Sequence, residues 1–421
     1  MRTTSLARAV ALATLGASMT LPTLAHAEFI KDSKASVELR NFYLNRGLRD
    51  TTPAQQSKRE EWAQGFLFKA ESGYTEGTVG FGLDAYAGLG LKLDSSPDRA
   101  GTNLLPGSFG NKAPDDYSDG FVTGKVKISK TVGKIGGLTP KLPILSANDS
   151  RLLPQTFLGG HINSMEIENL TFDGGIIKEL NQRDSTDFED LSMTGGGKRN
   201  ITFGSGGNQG DDLNFAGLSY KWNNLTTTYN YGQLEELYTQ HIFNVVHVLP
   251  IADKQSLKTD LRYARSNDDG STNVDNDAYG AMFTYALGSA SMGLGYQKMT
   301  GDTGYAYVSG SDPFLVNYVQ IGDFANKDEN SWQARFDYNF AGVGIPGLTF
   351  MTRYLTGDNI DLITTPGEGK EWERNTDIAY VIQEGPAKNL GFKWRNATVR
   401  NNFANDLDEN RLIISYTLPL Y

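Results

Sequence analysis

From Glu409 to Leu418 the chain alternates, apart from Ile413. Leu412, Ile414, Tyr416 and Leu418 point one way in an extended strand, while Arg411, Ser415 and Thr417 point the other. The same period of two recurs along nearly the whole chain. Val79, Phe81, Leu83 and Ala85 oppose Gly80, Gly82, Asp84 and Tyr86; Trp332, Ala334 and Phe336 oppose Gln333, Arg335 and Asp337; Phe392 and Trp394 oppose Lys393 and Arg395. Beyond the first 27 residues there is no apolar run of about 18 residues, so membrane-spanning helices are excluded. A barrel strand crosses lipid with only every second residue apolar. No helical periodicity is available to cover the apolar stripe. The pattern therefore predicts an all-β, transmembrane antiparallel up-and-down β-barrel, with hydrocarbon outside and water inside.

Met1 to Ala27 reads as a cleaved signal peptide. Arg2 and Arg8 give the positive start, Ala9 to Leu24 the apolar stretch, and Ala25, His26 and Ala27 the cleavage site. The barrel domain is expected over residues 28–421. Removing two Arg with the leader takes the formal charge from −10 to −12, which argues against a nucleic-acid partner. With no Cys, disulfide and thiolate chemistry are absent. These features fit export to a Gram-negative outer membrane, with lipid and lipopolysaccharide around the barrel. At roughly ten residues per strand plus turns, the length suffices for roughly 16 to 20 strands, enough to leave an aqueous lumen.

Connections are expected to alternate between tight and long. The tight ones are Ser72 to Thr75, Gly288 to Ser289, Ile345 to Gly347 and Gly385 to Pro386; the long ones are Asp94 to Gly120, Ala147 to Pro154, Thr300 to Asp312 and Asp358 to Trp372. Much of the acid is placed in connections: Asp115, Asp116 and Asp119; Glu371 and Glu373; Asp406, Asp408 and Glu409.

Parity then fixes the inward basic residues as Lys69, Lys125, Lys127, Arg262, Arg335, Arg353, Lys393, Arg395 and Arg411. An outward Arg near the bilayer centre would cost about 2–4 kcal/mol. Closure brings the last strand beside the first, which carries Arg40 and Arg46, so the C-terminal cations line one wall across the seam. Guanidinium groups at intervals can pass a carboxylate along. Pairing with lumenal acids such as Asp84, Asp260 and Asp337 is the competing use of these cations. Ser150 to Gln155 sits in a connection rich in Pro and apolar residues, which suits folding inward and carrying Arg151 into the lumen; a surface turn is the alternative. His161, His241 and His247 lie in no catalytic or metal-binding motif, so neither enzyme activity, nor a metal, nor a cofactor is expected.

Several segments resemble the OprD-like outer-membrane carboxylate channel family: Leu39 to Arg46, Trp62 to Phe66, Glu71 to Gly80, Ser150 to Thr156, Ser331 to Arg335 and Gly385 to Lys388. The resemblance implies an 18-stranded monomeric barrel, narrowed by inward loops, with a ladder of basic residues guiding small carboxylate solutes by passive diffusion. By motif position Arg46 and Arg59 resemble ladder residues, as do Lys393, Arg395 and Arg411, alongside the parity-derived Arg335 and Arg353. Arg151 falls in the constriction-loop motif, while Tyr238 and Asp323 resemble positions near the eyelet. Asn181 to Thr186 is similar to the subgroup handling aromatic and cyclic acids, which makes Arg183 a candidate lumenal residue. Departing from many such barrels, the chain ends in Tyr421, off the lipid-facing parity, so the last two residues are expected outside the strand.

The leading expectation is a porin for small, preferably aromatic or cyclic, monocarboxylates. The alternatives are the same channel selective for basic amino acids or small peptides, an outer-membrane barrel hydrolase, and a soluble secreted β-protein that binds sugars.

Overall fold

The computed structural model describes residues 29–421; the expected leader, Met1 to Ala27, lies outside the described residues. Strands β1 (Lys34–Leu48), β2 (Lys58–Glu71), β3 (Val79–Asp94), β4 (Asp116–Ile128), β5 (Thr131–Leu138), β6 (Thr156–Ser164) and β7 (Leu170–Asn181) succeed one another around a wall. The two-residue β8 (Glu189–Asp190) is a side arm on β7. The wall resumes with β9 (Leu213–Trp222), β10 (Leu225–Leu234), β11 (Tyr238–Ala252), β12 (Gln255–Asp268), β13 (Asp275–Leu287) and β14 (Ala290–Thr300). It is completed by β15 (Asn330–Asn339), β16 (Leu348–Asp361), β17 (Glu368–Val381), β18 (Gly391–Asn401) and β19 (Leu407–Pro419). β7 pairs directly with β9, and β19 pairs with β1 from Ser36↔Pro419 to Leu48↔Leu407. Eighteen antiparallel strands thus close a ring, and closure leaves no sheet edge unpaired.

The outward face is the apolar parity. Phe81 is 59% exposed, Leu294 67% and Trp332 59%, alongside Phe243, Phe283, Phe392, Leu412 and Ile414. So continuous a belt of exposed large hydrophobics far exceeds what a water-soluble surface carries, and hydrocarbon is the solvent it fits. β19 stops at Pro419, leaving Leu420 and Tyr421 outside it, as expected from the off-parity Tyr421.

Connections are short on one side and long on the other, but not all where the sequence placed them. The short side includes 129–130, 223–224, 253–254 and 288–289, and its turn 340–347 contains a 3₁₀-helix (Phe340–Val343). On the long side, 95–115, 139–155, 182–212 and 301–329 dominate. The expected long connection from Asp358 to Trp372 is mostly strand, because β16 runs to Asp361 and β17 begins at Glu368. The loop after Thr300 continues to Glu329, and 182–212 went unnoticed because its polar, Gly-rich composition carries no periodicity.

Three apolar clusters lie inside the barrel, the smallest being Val319 and Phe324 on Leu355, and the two larger ones explain why the long loops turn inward. Inward-facing Phe42, Leu44 and Leu67 pack against Leu104, Leu105, Leu152 and Leu153 from loops 95–115 and 139–155. Across the ring, Leu213, Leu234, Ile242 and Met299 hold Ile144, Leu145, Met193, Tyr305 and Val308 from loops 139–155, 182–212 and 301–329. An inward aliphatic side chain would face water unless a loop covered it, so each cluster fixes a loop to the wall.

Candidate functional site

The strand register organises the basic residues into rows. Antiparallel partners stand side by side on one face. Arg335 is the partner of Arg353, and Arg353 of Asn375; further round, Glu409 pairs with Arg46, and Arg46 with Arg59. In the neighbouring row Asp377 is the partner of Arg395, and Arg395 of Arg411. Lys393 lies on β18 two residues before Arg395, on the same face. Of the sequence-derived cations, Arg46, Arg59, Arg335, Arg353, Lys393, Arg395 and Arg411 are therefore brought together as one band running across the β19–β1 seam, whereas Lys125 and Lys127 on β4 and Arg262 on β12 lie outside it, and Lys69 lies toward the other end of β2 from Arg59.

Carboxylates are interleaved with them. Arg335 donates from Nε and Nη2 to Asp337, both at 2.7 Å. Asp377 Oδ2 takes Arg395 Nε at 3.0 Å and Lys393 Nζ at 3.4 Å. Glu409, fully buried, accepts from Arg411 Nε at 2.6 Å and from Arg46 Nη2 at 2.6 Å. Arg353 Nε donates to Asn375 Oδ1 at 2.7 Å, and Arg59 donates to Gln56 Oε1 at 3.0 Å and Gly101 O at 3.1 Å. The acids assigned to connections need correction here: Asp116 and Asp119 sit in β4, Glu371 and Glu373 in β17, Asp408 and Glu409 in β19. Asp119, Glu373 and Glu409 are buried. A carboxylate inside the wall is what lets closely set guanidinium groups coexist. Seven cations (Arg46, Arg59, Arg335, Arg353, Lys393, Arg395, Arg411) stand among six acids on the same strand faces (Glu61, Asp337, Glu371, Glu373, Asp377, Glu409), so these cations outnumber the acids by one.

The constriction loop is fastened to this band. Arg411 is 1% exposed, with Nη1 donating to Ser150 O at 3.4 Å and Nη2 to Gln320 O at 3.3 Å, so it ties loops 139–155 and 301–329 to β19. Arg40 Nη1 donates to Asp149 Oδ1 at 2.7 Å and to Arg151 O at 2.9 Å. Arg151 is buried, and its Nε donates to Thr102 O at 3.0 Å, joining loop 139–155 to loop 95–115. Burial first, then the nearby Arg411 and Arg183, push its guanidinium well below the ordinary value. Arg183 donates to Asn148 Oδ1 at 2.9 Å and Ser150 Oγ at 2.8 Å. Asn148 and Tyr318 both donate to Asp312 Oδ1, at 2.5 and 2.8 Å. Glu373 accepts the backbone N–H groups of Ile321 and Gly322 at 3.1 and 2.7 Å.

Asp323 pairs with buried Arg199 and accepts from Tyr307 OH at 2.8 Å, bonding loop 182–212 to loop 301–329. Tyr238, at the start of β11, is wholly enclosed in the larger apolar cluster with Tyr305, so it packs the loop layer instead of presenting its hydroxyl to the lumen. The sequence reading placed Glu409 and Glu373 in connections and did not single out Asp377, Arg199, Asn148 or Asp312. The parity of Glu409 with Arg411, and of Asp377 with Ile378 outward, was available in the sequence; the loop residues gave no such signal.

A closed wall with a lipid-facing belt, a polar cationic interior and loops folded into the lumen defines a membrane β-barrel channel. Residues 27–420 match the family described as outer membrane porin, OprD family. The chain is 39% identical over 414 residues to the porin-like protein GalP of Pseudomonas putida, covering 96% of each. It is 37% identical to porin D of Pseudomonas aeruginosa, covering 93% of this chain and 92% of that one. Among solved structures, Pseudomonas aeruginosa OpdQ superposes with a TM-score of 0.87 at 64% identity, over 94% of this chain and all of that one. A BenF-like porin from Pseudomonas fluorescens gives 0.88 at 40% identity, over 93% of this chain and all of that one. The chain belongs to the OprD family of outer membrane porins, and its place is the Gram-negative outer membrane.

Proposed function

We propose that this porin passes small carboxylate-bearing solutes, with aromatic or cyclic monocarboxylates favoured, by diffusion along the arginine band. The observation that carries the reading is the row structure. Arg335 with Arg353, Arg395 with Arg411 and Arg46 with Arg59 are like-charge cross-strand partners on the lumen face. Such pairs destabilise a sheet unless an anion comes between them. Built-in carboxylates satisfy part of that need, and a permeating carboxylate meets the remainder at each step. Each site is attractive enough to receive the anion and, because resident acids compete, weak enough to release it. The ring closes within one chain, which supports a channel that works as a monomer.

Liposomes containing the purified barrel should swell faster in benzoate-like acids than in neutral sugars of similar size or in basic amino acids. Equal rates across that panel would remove the carboxylate reading; preference for lysine or arginine would replace it with the basic amino acid alternative.

A further inference from the structure

The wall beside the arginine band, from β2 round to β9, holds a cavity of its own. Beneath loop 139–155 it has a volume of about 720 Å³ and is lined by Lys69, Lys134, Tyr86, Phe121, Leu138 and Phe215 among others. Through Glu71, Tyr74, Asp84 and Lys134 it continues into a second cavity of about 720 Å³ at the short-connection mouth, the periplasmic side in the usual outer-membrane arrangement.

Three of these residues form one register row. Lys69 on β2 is the partner of Tyr86 on β3, and Tyr86 is the partner of Phe121 on β4. The rings of Tyr86 and Phe121 lie 5.3 Å apart, centre to centre. Tyr86 is nearly buried, whereas Phe121 is half-buried and shows a face to the cavity. Gly137 makes this possible: a Cβ there would come within 1.9 Å of Phe121 Cγ, so only a bare backbone lets the ring lie against the wall. Adjacent strands are about 4.8 Å apart, so Phe121 and Lys69 backbones are separated by about 10 Å. An aromatic acid resting on Phe121 would put its carboxylate within reach of the Lys69 ammonium.

The surrounding charges leave that ammonium available. Asp84 is taken by Lys125 at 2.5 Å and Lys134 at 3.0 Å, and Asp149 by Arg40 at 2.7 Å. Among the described residues Lys69 has no hydrogen-bond or ion-pair partner; Glu71, also without one, lies two residues nearer the mouth.

We propose that Lys69 and Phe121, with Tyr86 as the floor, form a second holding site for an aromatic monocarboxylate after it has passed the constriction. The proposal rests on the carboxylate reading above and adds a ring-recognition step to it. A solute with a carboxylate and no ring gains only the lysine contact.

Single-channel currents through the full barrel, with benzoate or acetate added on the short-connection side, test it. Benzoate should interrupt the current, and K69Q and F121L should each shorten the interruptions about threefold or more, the size of a single aromatic or exposed ionic contact. Acetate interruptions should be briefer and indifferent to F121L. The Lys69 side chain is exposed and makes no hydrogen bond or ion pair among the described residues, so K69Q keeps the fold, and F121L keeps an apolar group of similar size. Interruptions of unchanged length in both variants, equal behaviour of acetate and benzoate, or no interruption in the unsubstituted barrel would each overturn the site. Carboxylate preference in liposome swelling is read separately, so the site can fail while that preference stands.

Discussion

Arg395 on β18 and Arg411 on β19 are direct cross-strand partners, two guanidinium groups side by side on the lumen face. Stability alone would place opposite charges there. They differ in surroundings: the Arg395 side chain is 19% exposed and shares Asp377 with Lys393, whereas the Arg411 side chain is 1% exposed and holds two loops. Arg395 is open to the lumen, whereas Arg411 is shut beneath the loops it holds.

Neutralising the two should therefore give different outcomes. R395Q removes about 1 kcal/mol of attraction for a passing anion, so benzoate flux should fall about fivefold with sugar flux unchanged. R411Q frees loops 139–155 and 301–329, so currents should become noisy and sugar flux should change as well. Identical phenotypes in liposome swelling and single-channel recording would refute the division.

Glu409 is a buried carboxylate held between Arg46 and Arg411. E409Q leaves two guanidinium groups without their anion, and breaking such a buried pair costs about 3 kcal/mol. The temperature at which the folded electrophoretic band converts to the unfolded one should fall. An unchanged conversion temperature would show that the cluster tolerates the missing charge.

The loop 301–329 should respond to pH through Glu329. This residue is fully buried, and its Oε2 accepts from Asn326 N at 3.1 Å and Nδ2 at 2.9 Å. Burial, then nearby Glu371, raise its carboxyl well above the usual carboxylate range. A raised folded value means that the folded loop binds the proton more tightly. Its stabilising contribution is then complete below the unfolded value of about 4.3 and fades as pH rises through the folded one. Asp312, raised by burial, acts in the same sense. Loop-derived current noise should increase from pH 5 to pH 8, and E329Q should flatten that dependence; a wild-type trace that grows quieter with rising pH contradicts the assignment.

Gly136 marks the place where β5 leaves the wall for the constriction loop. Its φ is 122°, and a Cβ would meet Val122 O at 2.3 Å. G136A should cost about 2 kcal/mol through backbone strain and lower the heat-conversion temperature. A fully stable G136A barrel would mean that the strand can take another path.

Strand parity was legible because the bilayer enforces it residue by residue: Phe392 and Leu412 outward, Lys393 and Arg411 inward, with no tertiary knowledge needed. Closure of β19 on β1, and hence the band across the seam, followed from the same rule. The inward fold of Ser150 to Gln155 was legible from its Pro and apolar content, but the sequence could not show that loops 95–115, 182–212 and 301–329 also enter the lumen, or what any of them meets there. Leu44 and Leu152 are far apart in the chain and share one apolar cluster only because the barrel brings the first strand beneath loop 139–155. Glu409, Asp377 and Asn148 acquire their roles in the same way. Alternation is a local property of a strand in lipid; pairing an arginine with its acid, or a loop with its clasp, depends on register and closure, which only the assembled ring determines.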